Sequence, residues 1–331
     1  QHIPSNRPRF KERPPTWVRG YNIRSGELIW TFHTIPQGGE FGVETWQEES
    51  WRYTGNGGVW TQMSADLDLG YVYLPTEAST NDFYGGHRPG DNLFTQSLVA
   101  LDASTGDRVW HFQMIHHGLW DYDTPAAPNL IDITVDGREI KAIAQVTKQG
   151  FTYVFDRATG VPVWPIIERA VPAATIPGER ASPTQPFPTK PPAFALQGLT
   201  EDDLIDFTPA LRAEAVQRLE NFTYGPLFTP PSLPQGDKRG TILMPGAGGG
   251  ANWTGAGIDP ESGVLFVPSR DSATVPRMGT LDGDESNFNY FRLNFLGVAG
   301  PQGLPILKPP YSTITAFDMN SGEILWRVPN G

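Results

Sequence analysis

The sequence predicts an all-β fold, a β-propeller of four-stranded blades with tryptophan motifs. Three observations carry the prediction: a phrase closing on tryptophan occurs four times, a second hairpin phrase occurs twice, and helix-breaking residues are abundant. With 36 glycines, 32 prolines and 10 tryptophans there is little room for long helices. Glycine and proline are poor in helix interiors, whereas aromatic side chains suit a pleated surface. At 331 residues the chain is long enough to bury a substantial core, in one large unit or in two ordinary domains.

The first copy of the phrase runs from Gly20 to Trp30 through Asn22-Ile23-Arg24-Ser25-Gly26. The second runs from Ala100 to Trp110 through Asp102-Ala103-Ser104-Thr105-Gly106, and the third from Val154 to Trp164 through Asp156-Arg157-Ala158-Thr159-Gly160. The fourth runs from Ala316 to Trp326 through Asp318-Met319-Asn320-Ser321-Gly322. Each reads as a hairpin: an apolar strand end, a turn in which glycine accepts positive φ, and a short strand closing on tryptophan. The second phrase, Ala65 to Pro75, is echoed from Gly257 to Pro268 and supplies another hairpin, so a unit holds about four strands.

The copies place one unit before residue 31, one over 45–110, one over 111–164 and one over 240–326. Residues 165–235 form a proline-rich excursion, read as an insertion on one rim of a partial propeller domain spanning 1–331. Within it Thr200-Glu201-Asp202-Asp203-Leu204 opens like a capped helix, and Pro209 to Asn221 has helical apolar spacing at Leu211, Ala215 and Leu219. About four units of a larger ring are visible, and an open ring exposes strand edges. The sequence is therefore expected to be part of a longer chain, with further blades from its remainder, or to be completed by units supplied elsewhere.

A formal charge of -11 with no run of Lys and Arg argues against nucleic acid. The absence of cysteine excludes thiolate metal sites, a cysteine nucleophile, disulfides and haem attached through Cys-x-x-Cys-His, so redox chemistry needs a bound organic cofactor. No stretch approaches the roughly 18 consecutive apolar residues of a spanning helix, and Gln1-His2-Ile3-Pro4 does not read as a signal peptide.

The chemistry is read in the run Ile115-His116-His117-Gly118-Leu119-Trp120-Asp121-Tyr122-Asp123, directly after a predicted strand, with Lys148 following in Thr147-Lys148-Gln149-Gly150. A loop presented by a rigid scaffold is where reactive side chains commonly sit. Read alone, Asp121 is as readily a turn cap, Lys148 a solvent-facing cation and Trp60 a blade-packing ring. Gly57-Gly58 permits close backbone approach beside Trp60. Asn252 and Trp253 follow Gly248-Gly249-Gly250-Ala251, a run that also suits a tight inner strand; it matches neither a phosphate loop nor a dinucleotide fingerprint. Adjacent residues on a strand face opposite ways, so His116 and His117 are read not as one metal site but as placing one ring, His117, near substrate. His87, beside Arg88 on another loop, is a second substrate-rim candidate.

These motifs resemble the dehydrogenases that use pyrroloquinoline quinone, most of all the membrane-bound glucose dehydrogenase branch. The resemblance rests on Trp51-Arg52-Tyr53-Thr54-Gly55-Asn56-Gly57-Gly58-Val59-Trp60, Tyr84-Gly85-Gly86, the 116–123 run, Thr147-Lys148-Gln149-Gly150, Ser182-Pro183-Thr184-Gln185-Pro186-Phe187 and Phe228-Thr229-Pro230-Pro231-Ser232. It implies a ring of about eight blades with the quinone near its axis beside a divalent or trivalent metal. The implied reaction oxidises a sugar, polyol or other alcohol by hydride transfer to the quinone.

Under the resemblance Asp121 matches the base, Lys148 the cation hydrogen-bonded to the quinone oxygens, and Trp60 the ring lying flat against the quinone. Asn252 and Trp253 fall where another segment approaches it. The implied metal, Ca or Mg or a lanthanide, draws on Asp121, Asp123 and, by rough position, Glu12. The chain departs from the pattern at Ala78, where the family has an asparagine ligand, leaving Glu77, Asn81 or Asp82 as neighbouring oxygen donors. The family also implies a periplasmic location and transfer of electrons to a quinone or a separate acceptor protein. Two other readings use the same blades: a non-catalytic scaffold for protein assembly, and an inactive paralogue.

Overall fold

In the computed structural model, residues 10–281 and 285–330 are described. The N-terminal Gln1-His2-Ile3-Pro4 lies outside them.

Strands β1 (Val18–Tyr21) and β2 (Leu28–Phe32) form a hairpin. Strands β3 (Ser64–Asp66), β4 (Tyr71–Pro75), β5 (Ser97–Asp102) and β6 (Arg108–Gln113) form a four-stranded antiparallel meander in chain order. A third sheet holds β7 (Asn129–Val135), β8 (Arg138–Val146) and β9 (Thr152–Asp156); beyond it a single bridge, Phe155 to Pro162, marks where a fourth strand would run. Proline at 162 removes a ladder donor, which explains the reduction.

Residues 165–235 follow, with the hairpin of β10 (Ile166–Ala170) and β11 (Thr184–Pro188), a 3-10 turn over Glu201–Asp203 and helix α1 (Pro209–Leu219). The last meander pairs β12 (Gly257–Asp259), β13 (Val264–Arg270), β16 (Ser312–Asp318) and β17 (Glu323–Pro329). A side hairpin, β14 (Val275–Gly279) with β15 (Phe291–Leu296), leaves it between β13 and β16.

The repeated phrase is a single turn design. Asp102 Oδ1 accepts from Ser104 N and Thr105 N, and Gly106 N at φ 78° returns to Asp102 O at 2.8 Å. Asn22 with Gly26, Asp156 with Gly160 and Asp318 with Gly322 build the same turn. Glycine is needed twice over, for its positive φ and for what lies above it. A Cβ on Gly106 would sit 2.6 Å from the Trp30 ring, and one on Gly160 2.6 Å from the Trp110 ring. Trp30 Nε1 donates to Ala103 O at 2.9 Å, and Trp110 Nε1 to Arg157 O at 3.0 Å. The Trp164 ring reaches Gly322 by its edge, with Cζ2 3.0 Å from where a Cβ would sit and Lys190 beside it. Each tryptophan thus caps the turn of the following sheet, the radial packing a propeller requires.

Tyr73, Trp110 and Phe155 continue the contact inward with ring centroids 5.9 Å apart at each step. Such aromatic pairs add about 0.5–1.5 kcal/mol beyond the area they bury. Trp326, the last of the series, is 42% exposed, and every residue of β17 is exposed.

The helical reading of the insertion holds for Pro209–Leu219, where Thr208 Oγ1 accepts from Leu211 N and Ala215 and Leu219 are buried. The capped segment at Thr200 is only one 3-10 turn. It ends at Leu204, which is already extended at φ −73° and ψ 153°, and Thr208, before Pro209, is driven to extended backbone as well, φ −143° and ψ 155°.

Candidate active site

The loop after β6 carries little regular structure and is held by its apolar residues. Ile115, Leu119, Trp120 and Tyr122 are buried. Phe228 packs against Trp120 and Tyr122, and Trp120 Nε1 donates to Thr229 O at 3.0 Å. Gly118 is required because a Cβ there would meet Gln96 Oε1 at 1.7 Å. His117 and Asp121 adopt positive φ, 48° and 56°, a region that Asp, Asn and His enter more readily than other side chains.

This backbone turns Asp121 toward Lys148, which lies in the turn after β8. Lys148 Nζ donates to Asp121 O at 2.8 Å, Asp121 Oδ1 at 3.0 Å and Asp123 Oδ2 at 2.9 Å. An ammonium has three donors, so all of them are engaged. Asp123 Oδ1 accepts from Ala78 N at 2.8 Å. At the position where the resemblance anticipates asparagine, the chain therefore offers only a backbone N–H, and it is used to fix Asp123.

Asn56, Trp60, Glu77, Ala78, Asp82, Asp121, Asp123 and Lys148 line a cavity of about 220 Å³. Desolvation, together with the Asp123 and Asp82 charges, pushes the Asp121 carboxyl well above the ordinary carboxylate range against the pull of Lys148. Burial opposes the charge of Lys148, but Asp121 and Asp123 outweigh it and hold the ammonium above the ordinary lysine range. Two carboxylates share one lysine while a third presses on them, so the cavity has room for another positive charge. Its donors are oxygens. Asn56 Oδ1 is buried with no hydrogen-bond partner, an acceptor suited to a hard cation or a ligand donor. Among the described residues no three carboxylate or imidazole side chains converge tightly enough to hold a metal by themselves.

Several candidates lie elsewhere. Glu12 is exposed, accepts from Asn287 Nδ2 at 2.8 Å, and is not among the cavity's lining residues. Asn252 donates to Gly248 O and lines a neighbouring cavity with Trp253, which is 69% exposed. The glycine run before them packs on Lys148: Gly250 N donates to Lys148 O, and a Cβ on Gly249 would meet Lys148 Cγ at 2.5 Å. Of the oxygen donors near Ala78, Glu77 and Asp82 face the cavity. Asn81 instead donates to Tyr290 O.

His87 is half-buried, donates through Nε2 to Thr80 O, and stands edge-on to Phe288. Burial and the Arg88 charge push its pKa well below the usual histidine range, keeping it neutral. His117 is not at a rim. Its side chain is 1% exposed, with Nδ1 2.7 Å from Gly90 O and Nε2 2.7 Å from Glu179 Oε1. Glu179 Oε2 also accepts from Gly85 N at 2.6 Å. The glycine of Tyr84-Gly85-Gly86 is required here, because a Cβ on Gly85 would lie 2.4 Å from His117 Nε2.

Burial alone would raise the Glu179 pKa, but the bonds from His117 and Gly85 and the Arg88 charge hold it below its ordinary 4.5. A depressed carboxyl adds stability that is present above pH 4.5 and is lost as pH falls through the folded-state value. Thermal melts of the wild type and Glu179→Gln are expected to differ by only about 0.5 kcal/mol near neutrality, because glutamine keeps both links as neutral hydrogen bonds. That gap closes in acid; a gap independent of pH would refute the ionised Glu179 carboxylate.

Arg292, Asn56 and Glu179 were not singled out in the sequence. The Arg292 guanidinium lies near enough to Asp82 and Asp121 for their charges to act on it. No local motif marks Arg292 or Glu179. Only Asn56 had a signal, its place between Gly55 and Gly57-Gly58, where backbone comes close to a cavity.

A protein-family model described as PQQ: Glucose/ethanol/alcohol dehydrogenase, beta-propeller domain, matches residues 5–331. The chain is 33% identical to the glycerol dehydrogenase large subunit of Gluconobacter oxydans (strain 621H), covering 96% of this chain and 46% of that protein. It is 30% identical to the quinoprotein glucose dehydrogenase of Escherichia coli (strain K12), covering 94% and 40%. It therefore spans less than half the length of these relatives. Among solved structures, the quinohemoprotein alcohol dehydrogenase of Comamonas testosteroni superposes with a TM-score of 0.60 at 21% identity, over 95% of this chain and 42% of that one. A europium-containing methanol dehydrogenase gives a TM-score of 0.59 at 21% identity, over 94% and 49%. At that identity these likenesses speak to the fold, a β-propeller. With the family model spanning almost every residue, the chain belongs to the PQQ-dependent glucose/ethanol/alcohol dehydrogenase β-propeller family.

Proposed function

We propose that the chain forms the catalytic part of a dehydrogenase that oxidises a sugar, polyol or other alcohol with bound pyrroloquinoline quinone. The observation that carries the reading is the convergence of Asp121, Asp123, Lys148 and Trp60 on one cavity. When bound, the quinone supplies the electrophilic carbonyl that takes the hydride. Asp121 takes the hydroxyl proton, so the alcohol loses a proton and a hydride and leaves as its carbonyl product.

Trp60 offers a broad π surface to a flat ligand. Asp121 and Asp123, with Asn56, Glu77 and Asp82 nearby, are the donors for Ca, Mg or a lanthanide. Lys148 Nζ, whose three bonds are spent on Asp121 and Asp123, would donate to the quinone oxygens where a cation took up those carboxylates. Lys148 then opposes the negative charge that grows on reduction.

Typical ligand sites hold about 300–1,000 Å³, so we assign further walls of the site to the rest of a longer protein. The exposed Trp326 and β17 would receive the next blade, with residues 165–235 as a rim insertion of the partial propeller. We place the protein in the periplasm, passing electrons to a quinone or a separate acceptor protein.

Titrating the full-length protein with the quinone, with and without Ca or a lanthanide, tests the reading. The expected result is an absorbance change that depends on the cation and alcohol-dependent dye reduction by the loaded protein. No binding under either condition would favour the scaffold reading.

A further inference from the structure

The insertion makes contacts that its place on a rim does not require. Gln185 of β11 is fully buried; its Oε1 accepts from His116 N at 2.9 Å and its Nε2 donates to His116 O at 2.7 Å. Glu179, whose side chain is 2% exposed, holds His117 Nε2 and Gly85 N on its two carboxylate oxygens. Thr229 O takes the Trp120 indole N–H. Three separated points of residues 165–235 therefore grip the loop at 116, 117 and 120, immediately before Asp121. The loop has no strand or helix of its own there, and its backbone enters the left-handed region at His117 and again at Asp121. A segment in that conformation persists only when its surroundings hold it.

We propose that the insertion is the positioning element of the 115–123 loop, with Glu179 and Gln185 as the residues that set where Asp121 stands. The catalytic consequence rests on Asp121 being the base; the positioning does not. Charge-assisted bonds in a water-excluded site are the strong kind, and a misplacement of about 1 Å can cost about a hundredfold in rate.

Glutamine at 179 can keep both links: its carbonyl accepts from Gly85 N while its amide donates to a neutral His117 Nε2. Alanine keeps neither. Glutamate at 185 differs again, because it accepts from His116 N but sets a carboxylate against His116 O.

The test compares amide hydrogen exchange of residues 115–123 in the full-length wild type with Glu179→Ala, Glu179→Gln, Gln185→Ala and Gln185→Glu. Exchange in the loop should accelerate at least about tenfold in both alanine variants and in Gln185→Glu, and stay near wild type in Glu179→Gln. In the alanine variants kcat should fall about 10- to 100-fold, with KM and quinone affinity within about threefold of wild type, and Glu179→Gln should restore it. If Glu179→Ala does not fold, Gln185→Ala carries the same comparison. Wild-type exchange in a folded alanine variant would overturn the proposal. A wild type that lacks quinone-dependent turnover while the exchange differences persist would support the positioning and remove the assigned activity instead.

Discussion

Asp121→Asn is expected to lower kcat for alcohol oxidation by about 10²- to 10⁴-fold, the range supplied by a positioned general base, while quinone affinity stays within a few-fold of wild type. The substitution is chosen for its backbone. Asp121 sits at φ 56°, where asparagine is accepted as readily as aspartate and alanine is not, so the loop keeps its course. The bond from Lys148 Nζ to Asp121 O is to the main chain and survives the change. Asp123 still pairs with Lys148, so the ammonium retains a counter-charge. What disappears is the ability to receive a proton. Single-turnover reduction of the bound quinone by excess alcohol, read beside a quinone titration, separates the two quantities. Undiminished turnover would remove Asp121 from the mechanism.

A pH dependence follows from the same residue. Desolvation and the neighbouring carboxylates raise the Asp121 pKa, and a base works only when deprotonated. In the cation-free protein the Asp121 carboxyl should therefore titrate above the ordinary carboxylate range of about 4. Added calcium or a lanthanide should draw that titration toward lower pH, and a titration that calcium leaves unmoved would remove Asp121 from the cation site.

The fold was legible because its information is local and repeated. Asn22, Asp102, Asp156 and Asp318 each build the same turn with a glycine four residues on. The tryptophan that closes each of the first three copies finds the following turn by geometry. The candidate site was legible where a motif is contiguous: Asp121 and Asp123 meet Lys148, 27 and 25 residues on, because a sheet brings one turn under the preceding loop. Glu179 was not legible, since its meaning depends on a loop 62 residues away and nothing beside it in the sequence marks it. The same blindness placed His117 at a rim. Alternation along a strand was assumed there, and the positive φ that turns this ring inward has no local sign.

Lys148→Met should have the second largest effect, and it acts on stability and binding together. Methionine fills much of the same space but leaves Asp121 and Asp123 facing each other without their shared cation. Breaking a buried pair by removing one partner commonly costs about 3–5 kcal/mol. Asp121 keeps a quarter of its side-chain exposure and Asp123 about a tenth, so the lower end, about 3 kcal/mol, is expected, a fall in Tm of roughly 5 °C or more for a chain of this size. Calcium without quinone should restore much of that loss, because it neutralises the same carboxylates. Quinone affinity should stay about 10- to 100-fold weaker even with calcium, since hydrogen bonds from a charged donor are gone. Lys148→Arg should not recover it. A planar guanidinium cannot reproduce three bonds converging on one nitrogen under the packed glycines at 249 and 250. If calcium restores quinone affinity along with Tm, Lys148 acts only as a placeholder for the metal and the direct contact to the quinone is wrong.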